Sequence, residues 1–378
     1  MILFLDSIPT PYLIHRYNIL WEESRKNILV WFECEKEKYR DWNTLPKSNF
    51  PHTILQGLVI PFLGKDILSL RVNTRIKAEL KQLKNIERIV ICGWDSLASL
   101  ELLLYAKKHS IPVTLWSGST EHEKSFIRSI FNPYVKWFVN QFDDYISYGS
   151  LSTEYLRSLG VKNKTITPFF NSIDNEYFIN ETKLLASERE KLREKYGYQQ
   201  KDILFIANGR LVEVKNYHKL LDASVKIAKK HPNFKLIILG DGYLRNSLEQ
   251  RVSNELRSAV RIEGYVQHME LPKYYLMSDT LILASTKEVW GLVVNEAMAA
   301  SLPVLVSKKA GCVKDLVKEG ENGISFTPDT GGIESAFETA LHWSSKKREE
   351  MGRQSLTIVQ ELSAFTSAKK LLKLWGNT

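Results

Sequence analysis

The stretch TLILASTKEVWGLVVNEAMAASLPVLVS, Thr280 to Ser307, changes periodicity twice. Thr280–Leu283 is a short apolar run, the residues after Gly291 have helical spacing, and Pro303–Val306 is apolar again. Strand, helix and strand in that order make a βαβ unit, in which ligands bind beyond the strands' carboxyl ends. Gly291 then opens a helix past such an end. First-turn amides there lack partners and carry about half a positive charge, which favours a phosphate. Glycine also lets a ligand approach the backbone closely. Two carboxylates flank it, Glu288 in the loop and Glu296 in the helix. That placement suits a ligand ordered hydroxyl, phosphate, hydroxyl, as in the hexose, diphosphate and ribose of a nucleotide-sugar. Two solvated helix glutamates are the plain alternative for this segment alone.

The same alternation runs along the whole chain. Strands are expected at Ile2–Leu5, Ile28–Phe32, Ile89–Cys92, Val113–Trp116, Asp144–Ser147 and Thr165–Thr167. A second set is expected at Ile203–Ala207, Lys235–Leu239, Ala259–Glu263, Thr280–Leu283, Pro303–Val306 and Gly323–Phe326. Helical periods separate most of them, so two doubly wound α/β domains in tandem are expected. At 378 residues the chain also exceeds what one core usually supports. The boundaries read 1–178 for the first domain, 179–200 for a linker with a short helix, 201–360 for the second domain, and 361–378 for a closing helix that returns to the first.

Composition narrows the function classes. Apolar content of 44% and charged content of 25% are those of a soluble globular chain. Cys34, Cys92 and Cys312 are far apart, with no CxxC, which argues against a disulfide framework or a zinc site. Met1–Leu5 meets Asp6 at once and reads as a strand, and no apolar run reaches the ~20 residues of a membrane span. The expected location is cytoplasmic, free or on the inner face of the membrane. The net charge of +9 is spread along the chain, without a nucleic-acid-binding motif, so anionic small molecules or lipid head groups are the better partners.

In FIANGRLVEVKNYHKLL, Gly209 lets the chain turn sharply out of a strand, and Arg210 and Lys215 place two cations at the same sheet edge as Gly291. Arginine grips a diphosphate bidentately, and lysine acts as a mobile point charge. Read alone, both are ordinary surface charges. Gly240-Asp241-Gly242 after a strand mimics a dinucleotide fingerprint, but Arg245 stands where its third glycine belongs. The run FIRSIFNPYVKWFVNQF, Phe126 to Phe142, puts apolar residues on one helical face, with a second helix starting at Asn132-Pro133. It either packs on the first sheet or meets a membrane surface with Arg128, Lys136 and Trp137 outward. Arg71, Arg75, Lys77, Lys81 and Lys84 would extend that surface.

Taken in order, these pieces resemble the retaining nucleotide-sugar glycosyltransferases of the GT-B fold, glycosyltransferase family 4. The resemblance rests on Gly209-Arg210-Leu211 with Lys215, Gly240-Asp241-Gly242, Gly264-Tyr265-Val266, and Tyr275, Ser278 and Asp279. It continues through Glu288 and Glu296, then Leu302-Pro303-Val304, Gly311, Gly320 and Gly323. Asn216 and Ser301 replace usual glycines, and Asp315 a common glutamate. The first half is similar more loosely, through SIPTPYLIHRYNIL and FFNSID.

The resemblance implies two Rossmann-like domains facing each other across a cleft. It implies sugar transfer from a nucleoside-diphosphate-sugar to the hydroxyl of a sugar or lipid-linked sugar, with no cofactor and no metal. It implies that Arg210 and Lys215 hold the diphosphate, Glu288 the donor sugar and Glu296 the ribose. Gly209, Trp290, Gly291, Leu292, Val293, Gly264, Tyr265 and Val266 would complete the donor site. Pro11, Tyr12, His15, Asp95, Ser117, Ser119, Glu121 and Asn171 would face the acceptor. Both glutamates are expected to face the cleft. A binding subunit without catalysis is the alternative.

Overall fold

The apolar runs form two separate parallel sheets. A computed structural model describes residues 1–35, 45–55, 57–63, 68–73, 75–123 and 131–376, and for 57–63 and 68–72 the backbone alone. In chain order the strands are β1 Ile2–Asp6, β2 Ile28–Phe32, β3 His52–Ile54, β4 Gly57–Leu63, β5 Leu68–Asn73, β6 Arg88–Cys92, β7 Val113–Ser117, β8 Asp144–Ser147 and β9 Ile166–Pro168. There follow β10 Ile203–Asn208, β11 Phe234–Leu239, β12 Val260–Gly264, β13 Thr280–Leu283, β14 Val304–Ser307 and β15 Gly323–Phe326.

The first sheet has the order β3-β2-β1-β6-β7-β8-β9, the second β12-β11-β10-β13-β14-β15, and β4 and β5 form an antiparallel hairpin of their own. Within each parallel sheet the order reverses once, between β1 and β6 and between β10 and β13. At such a switch point the loops leaving two neighbouring strands part and open a crevice. The central strands are buried on both faces, which is why they read as unbroken runs such as ILFL, IVI and VLV. Two doubly wound α/β domains are therefore present, as expected.

Contacts divide the chain into one unit of Met1–Asn171 with Ala364–Thr378, and a second of Ser172–Ser363. The closing helix Ala364–Leu374 lies in the first unit, where Ala364, Ala368, Leu371 and Leu372 share a core with Leu13, Ile14 and Tyr17. Burying each leucine there contributes about 1.5–3 kcal/mol. The long helix before it, Ser345–Glu361, stays in the second unit.

The segment 179–200 differs from the linker expected. It belongs to two helices of the second unit, Asn175–Leu184 and Arg189–Lys195. Arg189 pairs with Asp279 at 2.7 Å and Arg193 with the same carboxylate at 3.2 Å. Arg193 also donates to the carbonyls of Met277 and Asp202, at 2.8 and 2.7 Å. A run that looks solvated by composition is thus fastened by one carboxylate about ninety residues on. In the aromatic stretch, residues 126–130, Arg128 among them, lie outside the described residues, as does the side chain of Arg71. The described part is a helix over Asn132–Val139, buried through Phe138 and Val139.

Candidate functional site

At the second switch point, the loop leaving β10 begins with Gly209, whose φ of +154° is open to glycine. A Cβ on the neighbouring Gly240 would lie 2.0 Å from the carbonyl oxygen of Gly209, so two strand ends touch backbone to backbone. The loop then makes a single 3₁₀ turn over Glu213–Lys215 and passes through Asn216 in the left-handed region, at φ 64°. Asparagine tolerates that region better than most residues. Its side chain adds what glycine cannot: Nδ2 donates to the carbonyls of Ala284, at 3.0 Å, and Pro328, at 2.8 Å. The departure from the family glycine therefore ties the loop after β10 to the loop after β13.

That second loop carries Glu288. Its backbone is held by Gly311, which donates to its carbonyl at 2.9 Å. Its carboxylate accepts from Lys215 Nζ and, at 3.2 Å, from Ser285 Oγ. The Lys215 and Glu288 side chains are 16% and 17% exposed. Lys215 was expected on the diphosphate and Glu288 on the sugar; here they form one ion pair. Arg210 is exposed and makes no ion pair among the described residues. Gly291, at φ 105°, starts the helix Leu292–Ala299, and a Cβ there would lie 2.8 Å from Leu283. The first-turn residues Leu292 and Val293 are half-buried.

Two groups beside the pair stay protonated. Burial, with the charge of Glu288, pushes the Tyr217 phenol well above its usual range, and it donates to the Gly209 carbonyl at 3.0 Å. Burial first, then Glu288, raises the Cys312 thiol in the same way, so it is no thiolate nucleophile.

Glu296 departs from the expectation of a cleft-facing carboxylate. It is 1% exposed and accepts from the Tyr275 hydroxyl at 2.6 Å and from Asn208 Nδ2 at 3.4 Å. A charge in the helix interior must be satisfied by hydrogen bonds, and these two residues supply them. Trp290 is also buried, its Nε1 donating to Asn295 at 2.9 Å. Gly264 ends β12 and accepts from the Gly240 amide at 2.7 Å, while Tyr265 is exposed and Val266 half-buried. Asn208, Ser285 and Asn295 were not singled out from sequence. Asn208 could have been, since it is the last residue of a strand ending at the switch point.

In the first unit, Pro11, Tyr12 and His15 follow β1, and Asp95 follows β6, so these four flank that unit's switch point. Pro11 opens a helix capped by Thr10, whose side chain accepts from the Leu13 amide. Ser117 is buried at the end of β7 and accepts from the Ser119 amide at 3.2 Å; Glu121 is exposed in the next turn. Asn171 accepts from Arg16. Arg16, missed in the sequence, is 2% exposed, with its guanidinium 4.8 Å from the Trp116 ring, 5.3 Å from Tyr148 and 5.8 Å from Phe169. Nearby, Tyr17 donates to Asp6 at 2.9 Å; burial, helped by that carboxylate, holds the phenol well above its usual range.

Among the described residues no three His, Cys, Asp or Glu side chains gather as metal ligands, and no helix is long and apolar enough to cross a membrane.

Residues 188–356 match the family described as glycosyl transferases group 1. The chain is similar to alpha-monoglucosyldiacylglycerol synthase of Acholeplasma laidlawii, 33% identical over 142 residues, which are 37% of this chain and 35% of that one. It is similar to spore coat protein SA of Bacillus subtilis, 30% identical over 222 residues, 56% of this chain and 57% of that one. The chain thus spans between about a third and somewhat over half of these relatives' lengths. Among solved structures, Anabaena HepE in complex with UDP-glucose aligns over 100% of this chain and 99% of its own, with TM-score 0.73 and 18% identity. Sucrose-phosphate synthase of Thermosynechococcus elongatus aligns over 100% and 98%, with TM-score 0.76 and 16% identity. With a switch-point loop of this composition on a pair of Rossmann-like domains, the chain has the GT-B fold, and its residues 188–356 are similar to the glycosyl transferases group 1.

Proposed function

We propose that this chain moves a sugar from a nucleoside-diphosphate-sugar to an acceptor hydroxyl, with retention at the anomeric carbon, in the synthesis of a glycolipid or cell-surface glycan. The observation that carries this reading is the second switch point. There the exposed Arg210, the Lys215–Glu288 ion pair and the helix start at Gly291 belong to loops that leave adjacent strands. As the diphosphate departs, negative charge grows on its oxygens. Arg210, Lys215 and the amides of Leu292 and Val293 are the groups proposed to stabilise it, and preorganised donors of this kind are worth roughly 10²–10³ in rate each. Glu288 lies beside the donor sugar in this scheme, opposite the positive charge that develops at the anomeric carbon. Glu296, held by Tyr275 and Asn208, takes the ribose side.

The donors named for HepE and the lipid product named for the Acholeplasma relative favour a UDP-sugar and a lipid-linked acceptor. We further propose that transfer needs no divalent ion, the fixed cations serving instead. Phe131, Tyr134 and Trp137 are 50%, 37% and 48% exposed beside the exposed Lys136, and are proposed to rest on an anionic membrane surface.

The test is a turnover screen over UDP-, GDP- and ADP-sugars, with the product anomer read by NMR and a parallel series in EDTA. Retained configuration and unchanged rate in chelator are expected. Inversion, or activity restored only by Mg²⁺ or Mn²⁺, would contradict the corresponding part. Anionic liposomes should sediment the protein at low salt and release it at high salt; a supernatant protein at low salt would point to a soluble acceptor.

A further inference from the structure

At the opposite, amino-terminal ends of β11 and β12 lies a cavity of about 470 Å³, within the size range of small-molecule sites. Its lining includes Tyr196, Tyr198, Lys235, Val252, Arg257 and Arg261. Two of the cations have no carboxylate partner among the described residues. Lys235 Nζ donates only to the carbonyls of Ser258, at 2.8 Å, and Pro232, at 3.5 Å. Arg257 is exposed and has no ion pair among the described residues. Arg261 is held by Glu263 at 2.6 Å and stands 5.1 Å from the Tyr196 ring, and the one lining carboxylate, Glu249, is taken by Arg245 at 2.8 Å.

A second observation points to a ligand. Tyr198 is 8% exposed, and its hydroxyl, itself closed off from solvent, has no hydrogen-bond partner among the described residues. A buried hydroxyl left unpaired is costly, and native structures rarely leave one so. Ser253 and Ser258 also line the cavity, and Val252 and Ser253 belong to a π-helical turn, Val252–Leu256, a form that recurs at functional sites. Cations without a carboxylate suit a phosphate, and the two serine hydroxyls suit a polyol rather than a flat base.

We propose that this cavity binds a hexose phosphate, at a site separate from the switch point of the same sheet. Glucose 6-phosphate is the probe, titrated by calorimetry into wild type, Arg257→Gln, Lys235→Gln and Arg210→Ala, with glucose and inorganic phosphate as comparison ligands. Each cavity variant should bind about tenfold more weakly or worse, having lost one charge-assisted contact. Arg210→Ala, at the other end of the sheet, should bind as wild type does, and both comparison ligands should bind more weakly than the ester. Thermal melts confirm that all variants fold. No binding by wild type, binding by both cavity variants as tight as wild type's, a loss confined to Arg210→Ala, or a comparison ligand binding as tightly as the ester would overturn the proposal.

Discussion

The two parallel sheets reverse their strand order in the same way, yet they treat charge at the reversal in opposite ways. In the first unit, Asp6 ends β1 at 7% exposure and is occupied by Tyr17, while Arg16 is 2% exposed among three aromatic rings. In the second, Arg210 is exposed, and the Lys215 and Glu288 side chains keep 16% and 17% of their surface. A fully desolvated charge must be satisfied by the protein, and breaking its contacts is expensive. A partly solvated pair can exchange a partner for a ligand. Topology supplies a crevice in both units; burial decides which one keeps charge available for binding.

The largest effect expected from that contrast is on stability. Arg16→Met strips the countercharge from Asp6 and the donor from Asn171, and should cost about 3 kcal/mol or more in urea denaturation. Nucleotide affinity should not change. A normal melt with weakened UDP binding would reverse the assignment of the two crevices. Glu288→Gln should do the opposite, leaving the melt within about 0.5 kcal/mol while kcat falls by about 10². Glu296 lies between these cases because it is buried. Glu296→Ala takes away the carboxylate that accepts from Tyr275 and Asn208, so it should destabilise by about 1–3 kcal/mol and also raise KM for the donor more than it lowers kcat. A rise in KM without any loss of stability would mean that its burial is not structural.

The smallest effects concern the two residues that stand where glycine is usual. Ser301 has φ 58° at the end of the helix Leu292–Ala299, with an exposed side chain, so Ser301→Gly should stabilise by about 0.5–1 kcal/mol. Asn216, at φ 64°, uses its amide on two carbonyls, so Asn216→Gly should destabilise despite the easier backbone. Equal signs in the two melts would show that backbone strain alone governs both positions.

The buried strands were legible because parallel strands covered on both faces must be apolar throughout, as in Ile203–Ala207. Strand β3, His52–Ile54, was not, since two of its three residues are exposed and it pairs only at the sheet's edge. Glycines with polar neighbours at strand ends marked the second switch point, and the motif order carried the resemblance to the glycosyltransferases of the GT-B fold. Pairing was hidden. Lys215 and Glu288 were placed in one site, but a contact across 73 residues has no local signature. Glu296 read as cleft-facing because Glu-Ala-Met-Ala-Ala does not reveal that Tyr275 and Asn208 converge on it. Arg16 carried no signal, since a cation among helical residues looks like solvated surface until three rings close around it.

Calorimetric titration of UDP into Arg210→Ala, Lys215→Ala and the Lys215→Ala/Glu288→Ala double variant tests the central claim, that the second switch point holds the donor diphosphate. Each single change should weaken binding about tenfold or more through a lost charge-assisted contact. Lys215→Ala should be the worse, because it leaves the Glu288 carboxylate without a countercharge beside the diphosphate, and removing that carboxylate as well should restore part of the affinity. Unchanged affinity in both single variants would contradict the account.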